Sequence, residues 1–110
     1  MSDMTPLTYR ILLALADGDR HGYGIIKEIE EREGMGTAPS TGALYLALQR
    51  MEGHGLIRES PERPTEADDA RRRYYRLTEQ GRAAAEEESA RLATLVRAAR
   101  AKKLLAGGGS

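Results

Sequence analysis

Cysteine, tryptophan and phenylalanine are all absent from this sequence of 110 residues. Without cysteine there is no disulfide to staple the fold and no thiolate to hold a metal. Without tryptophan and phenylalanine, the aromatic material is five tyrosines, each carrying a hydroxyl that wants a partner when buried. No apolar run approaches the roughly 20 residues of a membrane-spanning helix, and no signal-peptide pattern opens the chain. The expectation is a soluble, cytoplasmic protein with no membrane partner. An excess of one charge is missing as well, since 17 basic and 17 acidic residues balance. What is present is 40% hydrophobic and 31% charged content, enough for one compact core under a charged surface. The length suits one small domain with an arm.

The balanced total hides a local bias. Residues 1–39 hold four basic and seven acidic side chains, whereas residues 71–82 hold five arginines and one glutamate. A nucleic-acid binder needs a basic face rather than a basic total. The bland reading of Arg71, Arg72 and Arg73 is a solvated loop tip.

Thr5 and Pro6 read as an N-cap and first helical residue. Met4, Leu7, Ile11, Ala14 and Leu15 then share one stripe at helical spacing, with Tyr9, Leu13 and Ala16 roughly opposite. A helix apolar on two sides is usually buried on two sides, which in so short a chain suggests a second protomer. His21-Gly22-Tyr23-Gly24 leads into a second helix with Ile25, Ile26 and Ile29 inward and Glu28, Glu30, Glu31 and Glu33 mostly in water. Ser40 caps a third helix. There Ala43, Leu44, Ala47, Leu48 and Met51 fit an arc of about 140° that faces the core. Leu56 to Glu59 and Arg72 to Leu77 read as strands joined by the Pro- and acid-rich loop SPERPTEADDA. If Leu77 points inward, Tyr75 does too, and Tyr74 and Arg76 point the other way. Thr78 caps a last helix whose narrow stripe of Ala85, Ser89, Leu92, Leu95, Val96 and Ala99 suggests a partner helix; the bland alternative is that it folds back on its own domain. Three helices, a hairpin and a helix in this order give a winged helix-turn-helix with a C-terminal helix.

Opposite the core arc of the third helix lie Gly42, Tyr45, Leu46, Gln49 and Glu52, with Arg50 at the margin. The second helix of a helix-turn-helix pair enters the major groove, with its positive N-terminus near phosphate. Ser40 and Thr41 can donate hydroxyls there, and Gly42 allows a DNA backbone to come close. Gln49 can pair with an adenine edge and Leu46 can touch a thymine methyl. The bland reading is a plain amphipathic helix. Candidates for catalysis are poor. His21 and His54 are far apart, neither has a zinc-type spacing, and His21 reads better as a helix-end hydrogen-bonding residue. No nucleophile has a plausible base, so neither an enzyme nor a metal or other cofactor is expected.

Taken together, LADGDRHGYGIIKEI, STGALYLALQRMEGHGLI and RRRYYRLTEQGR resemble the PadR family of bacterial transcriptional regulators, in particular its short members with one C-terminal helix. The resemblance spans about residue 7 to residue 100, and it is specific because the three motifs occur in this order and spacing. It implies that Tyr23 packs or contacts the DNA backbone, that Ser40, Thr41, Gly42 and Tyr45 contact DNA, and that Arg72 and Arg73 contact phosphate. It also implies a homodimer in which the C-terminal helix packs on the partner's N-terminal helix. Further implications are repression and release of DNA when a small molecule binds near that interface. Two departures stand out. With no Trp or Phe, and Tyr9 the one aromatic near that surface, an aromatic sandwich around a flat ligand cannot be built, and the wing loop is longer than in many relatives.

The expected architecture is therefore mainly α with a small β-hairpin. A winged helix-turn-helix DNA-binding domain covers 1–77, a dimerisation helix 78–105 and a flexible tail 106–110. The expected function is a sequence-specific regulator, a repressor, binding a pseudo-palindromic operator as a homodimer and relieved by a small-molecule effector. Its expected DNA-binding residues are Tyr23, Ser40, Thr41, Gly42, Tyr45, Gln49, Arg50, Arg71, Arg72 and Arg73. Its expected dimer contacts are Tyr9, Leu13, Leu92, Leu95, Val96 and Ala99. The rival is a winged-helix adaptor that binds protein and not DNA.

Overall fold

A computed structural model describes residues 4–61 and 73–106. The order is α1 (Pro6–Leu15), β1 (Arg20–His21), α2 (Gly22–Glu33), α3 (Thr41–Gly53), β2 (Ile57–Glu59), β3 (Tyr74–Leu77) and α4 (Glu79–Ala101). Each helix begins on a side-chain cap. Thr5, His21, Ser40 and Thr78 accept from the backbone N–H groups of Thr8, Gly24, Ala43 and Gly81 at 2.9–3.1 Å, and each such cap contributes about 1 kcal/mol. His21 is thus the helix-end residue its position suggests, with Nδ1 as the acceptor.

The core gathers Ile11, Leu12, Ala14 and Leu15 of α1, Ile25 and Ile29 of α2, and Leu44, Ala47, Leu48 and Met51 of α3, closed by Ile57 and Tyr75 from the sheet. Leu12 lies off the expected stripe of α1 yet is fully buried, because α2, α3, β3 and α4 all pack around this helix. Ala43 departs from expectation in the other direction and is exposed. It lies about 90° from the centre of the buried arc at 100° per residue, so the core face of α3 is narrower than the sequence suggests.

The hairpin is in fact a three-stranded antiparallel sheet in the order β1-β3-β2. The unforeseen strand β1 pairs Arg20 with Tyr75 and His21 with Tyr74. On the other side, Ile57, Arg58 and Glu59 pair with Leu77, Arg76 and Tyr75. Tyr74 stands on the face away from the core, as alternation requires, but it is only 5% exposed. The His21 ring meets it edge-on at 5.1 Å, so the two-residue strand is what covers it.

α4 also departs from expectation. Its first half packs on its own domain: Ala85 lies against the core, Tyr9 and Ser89 share a hydrogen bond of 2.7 Å, and Arg82 donates to the Ala16 carbonyl at 3.0 Å. Gly81 is the closest approach, since a Cβ there would lie 1.9 Å from the Leu56 carbonyl oxygen. Beyond Leu92 the helix projects, and Leu95 and Val96 are exposed. It ends with Lys103 in the left-handed region at φ 64° and with the Leu104 N–H donating to the Ala99 carbonyl at 2.8 Å, the backbone wrap that satisfies a helix C-terminus. Residues 107–110 of the expected tail lie outside the described residues. Among the described residues no helix is long and apolar enough to cross a membrane.

Candidate nucleic-acid interface

The outer face of α3 is built by subtraction. Leu44, Ala47, Leu48 and Met51 are held in the core, which leaves Gly42, Tyr45, Leu46 and Gln49 exposed at the spacing i, i+3, i+4, i+7. Leu46 is 62% exposed and Tyr45 46%. Among the described residues Leu46 is not part of the packed core. At the head of this face Ser40 Oγ accepts the Ala43 N–H at 3.1 Å, so its hydroxyl proton stays available to donate. Thr41 and Gly42 are exposed beside it. A Cβ at Gly42 would find nothing within 4 Å, so the fold does not require a glycine there.

Gly22 is the opposite case. A Cβ there would lie 2.4 Å from the Tyr45 hydroxyl oxygen and 2.7 Å from its ring. The phenol of Tyr45 therefore rests on the start of α2 and ties the two helices of the helix-turn-helix together, while part of its ring faces solvent. Tyr23, one residue on, is exposed and stacks on His21 with ring centroids 6.3 Å apart. The aromatic side chains thus run from Tyr45 over Gly22 to Tyr23, His21 and Tyr74. The glycine in His-Gly-Tyr-Gly is the sequence signal for this contact, but only the coordinates say what fills the space it leaves.

The arginines divide into two groups. Arg20 donates to the Ala14 carbonyl at 2.7 Å and pairs with Asp17 and Glu28. Arg76, grouped in the sequence with the wing cations, is bound by Asp19 at 2.9 Å. Both brace the sheet from within. Burial acts to raise the Asp19 pKa, but hydrogen bonds from Arg76 and Ser60 outweigh it and hold the carboxyl below its ordinary range. Arg50 and Arg58, in contrast, are exposed and make no ion pair among the described residues. Arg73 is exposed just before β3. The Tyr75 hydroxyl has its pKa pushed up by burial and by Glu52 and pulled back by the Arg73 cation. Arg73 directly precedes β3, the strand that carries Tyr75 into the core. Arg71 and Arg72 lie outside the described residues.

The expected dimer residues occupy a second region. Tyr9, Leu13 and Leu92 line a groove of about 360 Å³ between α1 and α4, together with Met4 and the pairs Arg10–Glu33 and Glu88–Arg91. Leu95 and Val96 continue outward along α4, and Ala99 is half-buried. Tyr9 is committed to its own chain through Ser89. The stripe on α4 therefore splits, its first half serving the domain and its second half left open. Among the described residues no group of three His, Asp or Glu side chains could hold a metal ion.

Comparison with known proteins agrees with this geometry. The family model for transcriptional regulators of the PadR-like family matches residues 11–87. A transcriptional regulator of Mycobacterium tuberculosis is 39% identical over 87 residues, covering 79% of this chain and 76% of that protein. An uncharacterised 37.1 kDa protein of a Streptomyces fradiae transposon is 40% identical over 85 residues; that covers 77% of this chain, which spans only 22% of the relative's length. The crystal structure of a PadR family regulator from Clostridium difficile superposes with a TM-score of 0.73 at 29% identity, covering 87% of this chain and 96% of that one. Bacillus subtilis PadR in complex with operator DNA superposes with a TM-score of 0.64 at 23% identity, covering 76% of this chain and 46% of that one, and speaks for the winged-helix fold. The chain belongs to the PadR-like family of transcriptional regulators.

Proposed function

We propose that this protein is a sequence-specific DNA-binding repressor that occupies a pseudo-palindromic operator as a homodimer. The observation that carries the reading is the outer face of α3, where Gly42, Tyr45, Leu46 and Gln49 stay exposed on one side of a helix whose other side is fully packed. Ser40, Thr41 and the open space at Gly42 fit a phosphate at the helix N-terminus. Gln49 and Leu46 fit base edges in the major groove. Tyr23, Arg50 and Arg73 flank that face, and Arg71 and Arg72 belong to the same basic run in the sequence. The exposed half of α4 and the neighbouring groove suit the α4 of a second copy. Two recognition helices would then enter successive major grooves about 34 Å apart. The same groove, lined by both apolar and charged side chains, is the proposed site of a small-molecule effector, with Tyr9 as its one aromatic wall.

The test is a gel shift on promoter fragments, beginning with the protein's own upstream region, across a salt series. Binding should be saturable and specific, with log K falling by about 0.9 per phosphate contact for each unit of log salt. Failure to bind any fragment at low salt would refute DNA binding and favour the adaptor reading, with which the acid-rich first third is compatible.

A further inference from the structure

The turn after α1 contains an acid whose position the sequence gives no reason to notice. Asp19 Oδ2 accepts three hydrogen bonds, from Ser60 Oγ at 2.6 Å and from Arg76 Nη2 and Nε at 2.9 and 3.2 Å. These donors come from two different strands. Ser60 directly follows β2, and Arg76 lies in the middle of β3. Ser60 is only 4% exposed, and its N–H donates to the Tyr74 carbonyl at 2.6 Å. That bond is the outermost described rung between the two arms of the hairpin.

The register creates a problem that Asp19 answers. Arg58 and Arg76 are direct cross-strand partners, and like charges facing each other across a ladder weaken it. The Asp19 carboxylate is bonded to Arg76 and also feels Arg58 electrostatically. It places a negative charge between two cations and a bonded oxygen on the hydroxyl at the end of the ladder. Without it, the buried Ser60 hydroxyl would lose this partner and the two arginines would repel one another at the base of the wing. Arg73 lies one residue beyond Tyr74, on the far side of that last rung.

We propose that Asp19 is the positioning residue of the wing. Its carboxylate holds the hairpin closed up to the Ser60–Tyr74 rung and so aims Arg73. It also withdraws Arg76 from phosphate binding. The proposal rests on the DNA-binding reading above, and it assigns part of sequence discrimination to a residue that touches no DNA.

The experiment compares wild type with Asp19→Ala and Asp19→Asn by amide hydrogen exchange and by DNA binding. In Asp19→Ala the Ser60 amide should exchange at least about tenfold faster while the Leu48 amide in α3 stays protected. Operator affinity should fall about tenfold and affinity for unrelated duplex by less, because the cations keep their charge and Arg76 is released while the wing loses its aim. Asp19→Asn, which keeps an oxygen acceptor, should recover part of both effects. Unchanged Ser60 exchange in Asp19→Ala would overturn the clamp. Equal loss of operator and unrelated DNA would overturn the positioning role. A wild-type protein that bound no duplex would instead refute the DNA-binding reading, and the exchange measurement would still decide whether Asp19 holds the hairpin.

Discussion

Gly42→Ala separates the requirements of the fold from those of DNA. The added methyl meets nothing within 4 Å, so it creates no clash in the isolated protein. Alanine is favoured over glycine by up to about 1 kcal/mol in a helix, and somewhat less in a first turn. The variant should therefore be as stable as the parent or more so, with a melting temperature unchanged or raised by roughly 4–8 °C per kcal/mol for a chain of this size. Binding should move the other way. If a phosphate approaches the first turn of α3 at hydrogen-bond distance, a methyl on Gly42 forces it outward and weakens charge-assisted bonds worth roughly 1.5–3 kcal/mol each. One lost bond is about a tenfold to hundredfold drop in affinity. Thermal melts and a fluorescence anisotropy titration on the same preparation measure both. Unchanged affinity would refute close backbone approach at Gly42, and a lower melting temperature would refute the open space itself.

Gly81→Ala should behave oppositely: its Cβ would clash with the Leu56 backbone oxygen, and overpacking against backbone should destabilise by about 1–3 kcal/mol or more in a urea melt. Gln49→Ala should lower discrimination at one base position by roughly 1–3 kcal/mol, read by competition with singly substituted operators. Leu95→Glu places a charge on the exposed part of α4, so sedimentation should report monomers with the thermal midpoint of the domain preserved; a persistent dimer would refute the proposed interface. Acid should destabilise the protein below about pH 4, because Asp19, Glu33 and Glu88 all have carboxyls held below their ordinary range by arginine partners. Their contribution is complete above the unfolded carboxyl value near 4 and disappears as pH falls through the lower folded values. Melts from pH 7 to 2 should show that decline, and a smaller one in Asp19→Asn.

The parts of the fold legible in the sequence are those set by local rules. The caps at Thr5, Ser40 and Thr78 and most of the inward positions of the first three helices follow from neighbouring residues, and they stand in the structure. What was not legible depends on contacts far apart in the chain. Strand β1 has two residues, too few for any alternation to register, and exists only because β3 offers it an edge. Leu12 is buried because α1 is surrounded, not because of its spacing in α1. The stripe on α4 reads as one feature in sequence, yet α1 covers its first half and leaves the second open. The candidate site shows the same division. The outer face of α3 follows from its inner face by periodicity, whereas the seat of Tyr45 on Gly22 and the bond between Asp19 and Ser60, 41 residues apart, could only appear once the chain was folded.

A formal charge of zero is reconciled with DNA binding by where the acids are used. Glu33 holds Arg10, Glu88 holds Arg91, and Glu28 holds Arg20 and Arg32; all of these acids belong to α2 or α4. Asp19 takes Arg76 out of solution within the sheet. No acid among the described residues forms an ion pair with Arg50 of α3, Arg58 of β2 or Arg73 just before β3. Paired cations add little to a field in water, since each is cancelled within about 4 Å and screened beyond about 10 Å at ordinary salt. What reaches a polyanion is the remainder, and beside the outer face of α3 that remainder includes Arg50 and Arg58. The acids Asp19, Glu28 and Glu33 of the first third therefore spend their charge on Arg10, Arg20, Arg32 and Arg76 and leave Arg50 and Arg58, beside the face proposed to meet DNA, outside these pairs.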